Sequence, residues 1–223
     1  MSPSGKPEVS IVVPVHNALP YVRRLLCSLR RTEVIPYELI VVDNASRRAT
    51  RSYLRAMSWR GWIDRLLLND HNALFAAANN QGARAADPGS RFVLLLNSDV
   101  EIRDPEWLRR LLDLHRRGAT SLGVIDDAAG VRGDGYCLLV DRDLYDRYGL
   151  DEQYAWWWCV SRLQAQLLCA GHRVTAVRDH ERQLVHHWAK SGDDFAGAPG
   201  MTTDPATVRG WFGGHSADVV AAL

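Results

Sequence analysis

Short apolar runs separated by amphipathic stretches limit this chain to one class of fold. Val9–Val15 reads VSIVVPV, Glu38–Asp43 reads ELIVVD and Phe92–Leu96 reads FVLLL, with a further run at Ile63–Leu68 between the last two. Near-continuous runs of β-branched residues and leucine belong to strands buried on both faces, as in parallel sheets covered by helices. The stretches between them have helical spacing. Tyr21, Val22, Leu25, Leu26 and Leu29 line one face of residues 18–31. Residues 47–57 and the alanine-rich residues 74–86 follow as helices, with Gly82 costing the latter about 1 kcal/mol relative to alanine. Pro105 stands where a first helical turn tolerates it and opens a helix over Glu106–Arg116. The alternation predicts an α/β domain with a mostly parallel, Rossmann-like sheet, right-handed crossovers and helices on both faces.

The second half is less regular. Residues 120–141 read as one or two strands around a Gly- and Asp-rich loop at 126–135. Residues 143–148 and 158–170 read as helices, the second ending at Gly171, and 172–177 and 183–188 as strands. Residues 189–223 are rich in glycine, proline and polar side chains, and predict a loop-rich tail with a terminal helix at 215–223.

At 223 residues, 47% hydrophobic and 24% charged, the chain suits one folded domain. A net charge of +1 gives no reason to expect nucleic acid or an anionic membrane as the main partner, and the arginines are spread along the sequence. Cys27, Cys137, Cys159 and Cys169 form no CxxC pair, so they read mostly as small buried apolar residues, consistent with a reducing cytoplasm. Residues 1–7 lack the apolar core of a signal peptide, and no run approaches the roughly 18 apolar residues of a membrane helix. The expectation is a cytoplasmic protein that visits the inner face of a membrane, rather than spanning it, when its substrate is lipid-linked.

In open α/β sheets, ligands bind beyond the carboxyl ends of the strands. Polar residues collect there: Pro14, His16 and Asn17 after the first strand, Asp43, Asn44 and Ser46 after the second, and Asn97, Ser98 and Asp99 after the fourth. Asp99 follows a wholly apolar run. A carboxylate so placed either caps the next segment, with Asn97 and Asp104 as turn formers, or holds a divalent cation that bridges a diphosphate.

The ordered set SIVVPVHN (10–17), ELIVVDNAS (38–46), NDHNALFAAANNQGARAA (69–86), FVLLLNSDVEI (92–102), GYCLLVDRDLYDRYGLDEQY (135–154) and LVHHWAKS (184–191) resembles family-2 glycosyltransferases of the GT-A fold. The resemblance implies a flexible N-terminus at 1–7, a nucleotide-sugar-binding half at 8–102, an acceptor-binding half at 103–191 and a tail at 192–223. It implies a nucleoside-diphosphate sugar donor, Mn2+ or Mg2+, inversion at the anomeric carbon, and a small-molecule, glycan or lipid-linked acceptor in natural-product or cell-envelope glycosylation. By the same resemblance, Pro14, His16, Asn17, Asp43, Asn44, Asn80, Asn97 and Ser98 contact the nucleotide. Asn79 is a further donor contact, and Asp99 and His186 hold the metal. His186 and His187 otherwise read as one inward and one outward strand residue.

The chain departs from the family in two places. Leu74 stands where the family has glycine, and leucine does not readily adopt the positive φ open to glycine. The family's acidic pair, which includes the base that deprotonates the acceptor, falls on Cys159 and Val160, with Arg162 where another acid is usual. Asp151, Glu152 or Asp134 then supplies the base, or the acceptor needs little help, or catalysis is lost and the domain only binds a nucleotide or a partner. Trp156, Trp157 and Trp158 precede this point and suit an acceptor pocket for an apolar or aromatic group, at least one of them serving the core. A nucleotidyltransferase shares the sheet plan but opens with a glycine-rich loop, and Pro14-Val15-His16-Asn17 contains no glycine.

Overall fold

The structure is a computed structural model and describes residues 6–33, 35–156, 158–188 and 197–223. Trp157 and the end of the late motif, Ala189–Ser191, lie outside the described residues, as does most of the N-terminal segment.

The first half runs β1 (Val9–Val15), α1 (Leu19–Leu29), β2 (Tyr37–Asn44), α2 (Arg48–Trp59), β3 (Arg65–Asn69), α3 (Leu74–Ala85), β4 (Phe92–Leu96), β5 (Val100–Ile102) and α4 (Trp107–Leu114). The second half runs β6 (Gly118–Leu122), β7 (Val124–Asp127), β8 (Gly130–Gly133), β9 (Cys137–Asp141), α5 (Arg142–Tyr148), α6 (Trp158–Cys169), β10 (Arg173–Asp179), β11 (Leu184–His186), α7 (Pro205–Trp211) and β12 (Asp218–Ala222). Eight strands form one sheet in the order β12-β10-β6-β9-β4-β1-β2-β3. All neighbours are parallel except β9, which runs against both β4 and β6.

The apolar runs are continuous because each strand serves two cores. Ile11, Val13, Leu39, Val41, Leu94 and Leu96 pack against α1, α2 and α4 on one face. Their alternates Val12, Ile40, Val93 and Leu95 pack with alanines of α3 and with α5 and α6 on the other. Each fully buried leucine or isoleucine contributes about 2 kcal/mol. Gly82 has a packing role: a Cβ there would stand 2.3 Å from Val12 Cγ1, so glycine lets α3 lie directly on β1.

Three expectations need correction. Residues 120–141 hold four strands, β6 to β9, once Gly118 and Ala119 are included, rather than one or two. The expected helix at 215–223 is instead β12, whose Thr175↔Asp218 to Asp179↔Ala222 register adds a parallel edge strand to β10. The tail's helix lies earlier, at α7. A run of valine and alanine fits either state, and the open edge of β10 decides it. Two of the four cysteines, Cys27 and Cys169, are exposed; all four are free. No helix among the described residues is long and apolar enough to cross a membrane.

Candidate active site

A cleft of about 650 Å³ opens beyond the carboxyl ends of β1, β2 and β4. Pro14, His16, Asn44, Asn97, Ser98, Asp99 and His186 line it, so residues distant in sequence share one wall. The β7–β8 hairpin, the turn into β9 and the start of α6 complete the lining.

The wall at the ends of β1 and β2 is held by backbone turns. Asn17 and Ala18 both take positive φ, at 59° and 51°, which ends β1 abruptly. Asn17 is a strut: its Oδ1 accepts the Arg47 N–H at 2.8 Å, and its own N–H donates to Ser46 Oγ at 2.8 Å. His16 Nδ1–H donates to the Asn44 carbonyl at 2.6 Å, and its Nε2 accepts from Asn17 Nδ2 at 3.0 Å. A carbonyl only accepts and an amide nitrogen only donates, so this pair of contacts defines the tautomer.

Leu74 corrects the sequence expectation directly: it takes φ 64° despite its side chain. Asn72 Oδ1 accepts its N–H at 3.0 Å, and Asn44 Nδ2 donates to its carbonyl at 3.2 Å. Both asparagines and Leu74 line the cleft, so a left-handed turn forms here without glycine. The conformation costs a residue with a Cβ about 1–2 kcal/mol. Leu74→Gly is therefore expected to stay within about 1 kcal/mol of the parent. Leu74→Ile, although isosteric, is expected to lose about 1–2 kcal/mol, because β-branching is least tolerated at positive φ. Urea denaturation of the two variants separates backbone strain from packing.

The other wall residue with clear charge chemistry is Asp99. β5 and β11 pair antiparallel, with His186 opposite Val100, and this register carries His186 to Asp99. His186 Nε2–H donates to Asp99 Oδ1 at 3.1 Å. The imidazole stacks on Tyr136 at 4.3 Å between centroids and lies 4.1 Å from the Trp188 ring. His187 points elsewhere, to Glu101 at 2.9 Å and towards Tyr21. Asp99 and His186 offer one hard oxygen and one imidazole nitrogen. No cluster of three metal-ligating side chains occurs among the described residues. The pair fits Mn2+ or Mg2+ completed by phosphate oxygens and water, which need few protein donors.

Six residues expected at the site do not line the cleft. Asn17 is the strut just described. Asp43 is fully buried and faces Arg51 Nε at 3.1 Å, while its Oδ1 accepts the Ser46 N–H. Asn80 clamps the turn after α5, donating to the Leu150 carbonyl and Glu152 and accepting from Tyr145 and the Leu150 N–H. Glu152 is thereby engaged at 2.9 Å, and Asp151 accepts the Gln153 N–H in its own turn. Asn79, too, is buried, donating to the Phe75 carbonyl within α3.

Several cleft residues were not marked by any strand-end pattern. Arg132, almost wholly buried, donates two bonds to the Asp127 carboxylate and one to Ser161 Oγ, with its guanidinium over the Trp158 ring. That bidentate pair holds the Asp127 pKa below its usual range. Trp156, Trp158, Phe75, Ile125 and Val160 add apolar surface to the lining. Asp134 lines it as well, and burial raises its pKa above the ordinary carboxylate value.

Comparison with known proteins gives the family and the fold. Residues 10–149 match glycosyl transferase family 2, and the chain belongs to that family. The O-antigen biosynthesis protein RfbC of Myxococcus xanthus is 33% identical over 117 residues, covering 51% of this chain and 9% of that protein. The succinoglycan biosynthesis protein ExoO of Rhizobium meliloti is 30% identical over 132 residues, covering 59% of this chain and 36% of that protein. The chain thus spans only a minor part of the length of these relatives. Among solved structures, the mannosyltransferase PcManGT of Pyrobaculum calidifontis, in complex with GDP-Man and Mn2+, aligns with TM-score 0.64 at 20% identity, over 79% of this chain and 56% of its own. TarS of S. aureus aligns with TM-score 0.61 at 17% identity, over 77% and 35%. The fold is that of GT-A glycosyltransferases.

Proposed function

We propose that this domain transfers a sugar from a nucleoside-diphosphate sugar to an acceptor hydroxyl, with inversion, in building a cell-surface polysaccharide or a related glycoside. The observation that carries this reading is the Asp99–His186 pair, 3.1 Å apart on the wall of the strand-end cleft. Asp99 and His186 are the residues that would hold Mn2+ or Mg2+. When bound, such an ion neutralises charge on a departing diphosphate. The GDP-Man and Mn2+ bound to the Pyrobaculum mannosyltransferase support this choice of ligands. His16, Asn44, Asn97 and Ser98 orient the nucleotide and exclude water. Trp156, Trp158 and Phe75 suit stacking against the acceptor's sugar ring or an apolar aglycone.

The test is a thermal-shift and calorimetric screen of UDP, GDP, dTDP and CDP with Mn2+. At least one nucleotide is expected to bind, and EDTA is expected to abolish the shift. Binding that is indifferent to EDTA would remove the metal from the reading.

A second reading, a domain that binds the nucleotide without turnover, is favoured by Cys159 and Val160, which stand where the family carries its acids. Release of nucleoside diphosphate from a donor sugar by the purified protein excludes it.

A further inference from the structure

The place vacated by the family's acids is not far from a carboxylate. Cys159 is buried, its thiol donates to the Trp156 carbonyl, and burial pushes its pKa strongly upward, so it offers no base. Val160 lines the cleft from the first turn of α6. A Cβ built on Gly135 would stand 2.8 Å from Val160 Cγ2, so the turn into β9 lies directly against that valine. The residue before Gly135 is Asp134. We infer that Asp134 is the catalytic base, the acid having moved from α6 to the facing turn between β8 and β9. This rests on the glycosyltransferase reading above.

Competing carboxylates are engaged. Three line the cleft: Asp99, Asp127 and Asp134. Asp99 faces His186, and Asp127 is bound by Arg132. Among the described residues, Asp134 forms no ion pair with a side-chain cation. Asp151 and Glu152 lie outside the lining, as shown above.

The turn is also rigid. Asp134 N–H donates to the Gly123 carbonyl at 3.0 Å, and Ser121 Oγ donates to the Asp134 carbonyl. Gln164 bridges both backbone groups of Gly133, at 2.8 and 2.9 Å. Gly123, at φ 128°, makes the approach possible: a Cβ there would stand 3.0 Å from Asp134 Cβ. Burial raises its pKa and makes it a stronger proton acceptor than an exposed aspartate, against the smaller opposing effects of the Gly135 N–H, His186, the Tyr136 N–H and Arg132. A positioned base of raised basicity is what proton removal from a hydroxyl requires.

In the step, the acceptor O–H proton passes to the Asp134 carboxylate. The acceptor oxygen forms its bond to the anomeric carbon. The bond from that carbon to the diphosphate breaks, and the nucleoside diphosphate leaves with the electron pair. Water serves as acceptor in the same way.

The experiment measures nucleoside-diphosphate release from a panel of UDP-, GDP-, dTDP- and CDP-linked sugars with Mn2+ and water as acceptor. Asp134→Asn is expected to lower release by about 10²- to 10⁴-fold. Its affinity for the free nucleotide diphosphate is expected to stay within about twofold, by calorimetry. Adding Val160→Asp to that variant is expected to restore at least about tenfold, by returning an acid to α6. Asp134→Asn that keeps release within about threefold of the parent overturns the assignment, as does a parallel loss of nucleotide affinity. A parent protein that cleaves no donor on the panel fails the glycosyltransferase reading itself, and the base with it.

Discussion

Replacing Asp99 by asparagine is expected to lower donor cleavage by about a thousandfold, roughly 4 kcal/mol of transition-state stabilisation, with the fold intact. Asparagine keeps the size of the side chain and can still accept the His186 N–H, now 3.1 Å from Asp99 Oδ1. What it loses is the charge. A helix-capping or turn-forming aspartate loses little by this exchange, because asparagine caps as well. A metal-binding one loses its hard anionic donor. Calorimetry with the free nucleotide, with and without Mn2+, divides the cases. The variant is expected to bind with equal affinity in both conditions, at the level of the parent in EDTA. If the variant retains a Mn2+-dependent gain, the charge of Asp99 has no part in holding the ion.

Gly118→Ala is expected to cost about 4 kcal/mol or more, and to lower the midpoint of thermal unfolding by about 10 °C. Two terms combine. Gly118 has φ 140°, a region costing about 1–3 kcal/mol for a residue with a Cβ. That Cβ would also lie 1.9 Å from the Arg173 carbonyl oxygen, on the strand paired with β6. Backbone cannot swing aside as a side-chain tip does. Relief requires β6 and β10 to separate, and β12, which pairs only with β10 in the sheet, would lose its support. The same glycine donates its N–H to Asp141 Oδ2 at 2.7 Å, tying β6 to β9. Gly130→Ala provides the control. Gly130 has φ 102° but nothing within 4 Å of its added Cβ. It is expected to lose only the conformational part, so the difference between the two variants measures the steric clash.

The fold was legible where one physical signal dominated. β1, β2 and β4 are buried on both sides, and a strand in that setting has no room for polar alternation, so the apolar runs at 9–15, 38–43 and 92–96 announced them. β6 gave no such signal. Its sequence GATSL is equally buried but uses Thr120 and Ser121, whose hydroxyls find His115 and the backbone around Asp134. Buried hydroxyls satisfied by a neighbouring side chain or backbone carbonyl weaken the apolar signal, so the strand was read only from residue 120 and without its neighbours. β12 failed for a related reason, since a parallel edge partner decides the state of a short valine–alanine run.

The site divides the same way. His16, Asn44 and Asn97–Asp99 reach the cleft because they directly follow or end the strands that were recognised. His186 depends on the β5–β11 register, which no local pattern encodes, and needed the family resemblance. Asn80 and Asp43 were polar residues at plausible positions that face other partners, Asn80 bonding to Leu150 and Glu152 and Asp43 lying buried against Arg51. Sequence shows a polar side chain but not which partner takes it. Asp134 was one of three acids that spacing left open, and the turn packed against Val160 distinguishes it.

The single reversed strand, β9, has a further effect. Because it runs against its neighbours, the segment leading into it arrives at the same rim where β1, β2 and β4 let go of the chain. The nucleotide wall is therefore drawn from loops that leave parallel strands, and the facing wall from a loop that enters an opposed one. The two loops meet there, since the Asn97 N–H donates to the Tyr136 carbonyl and Tyr136 stacks on His186, so a change of length between Gly123 and Tyr136 would be felt on both sides of the cleft.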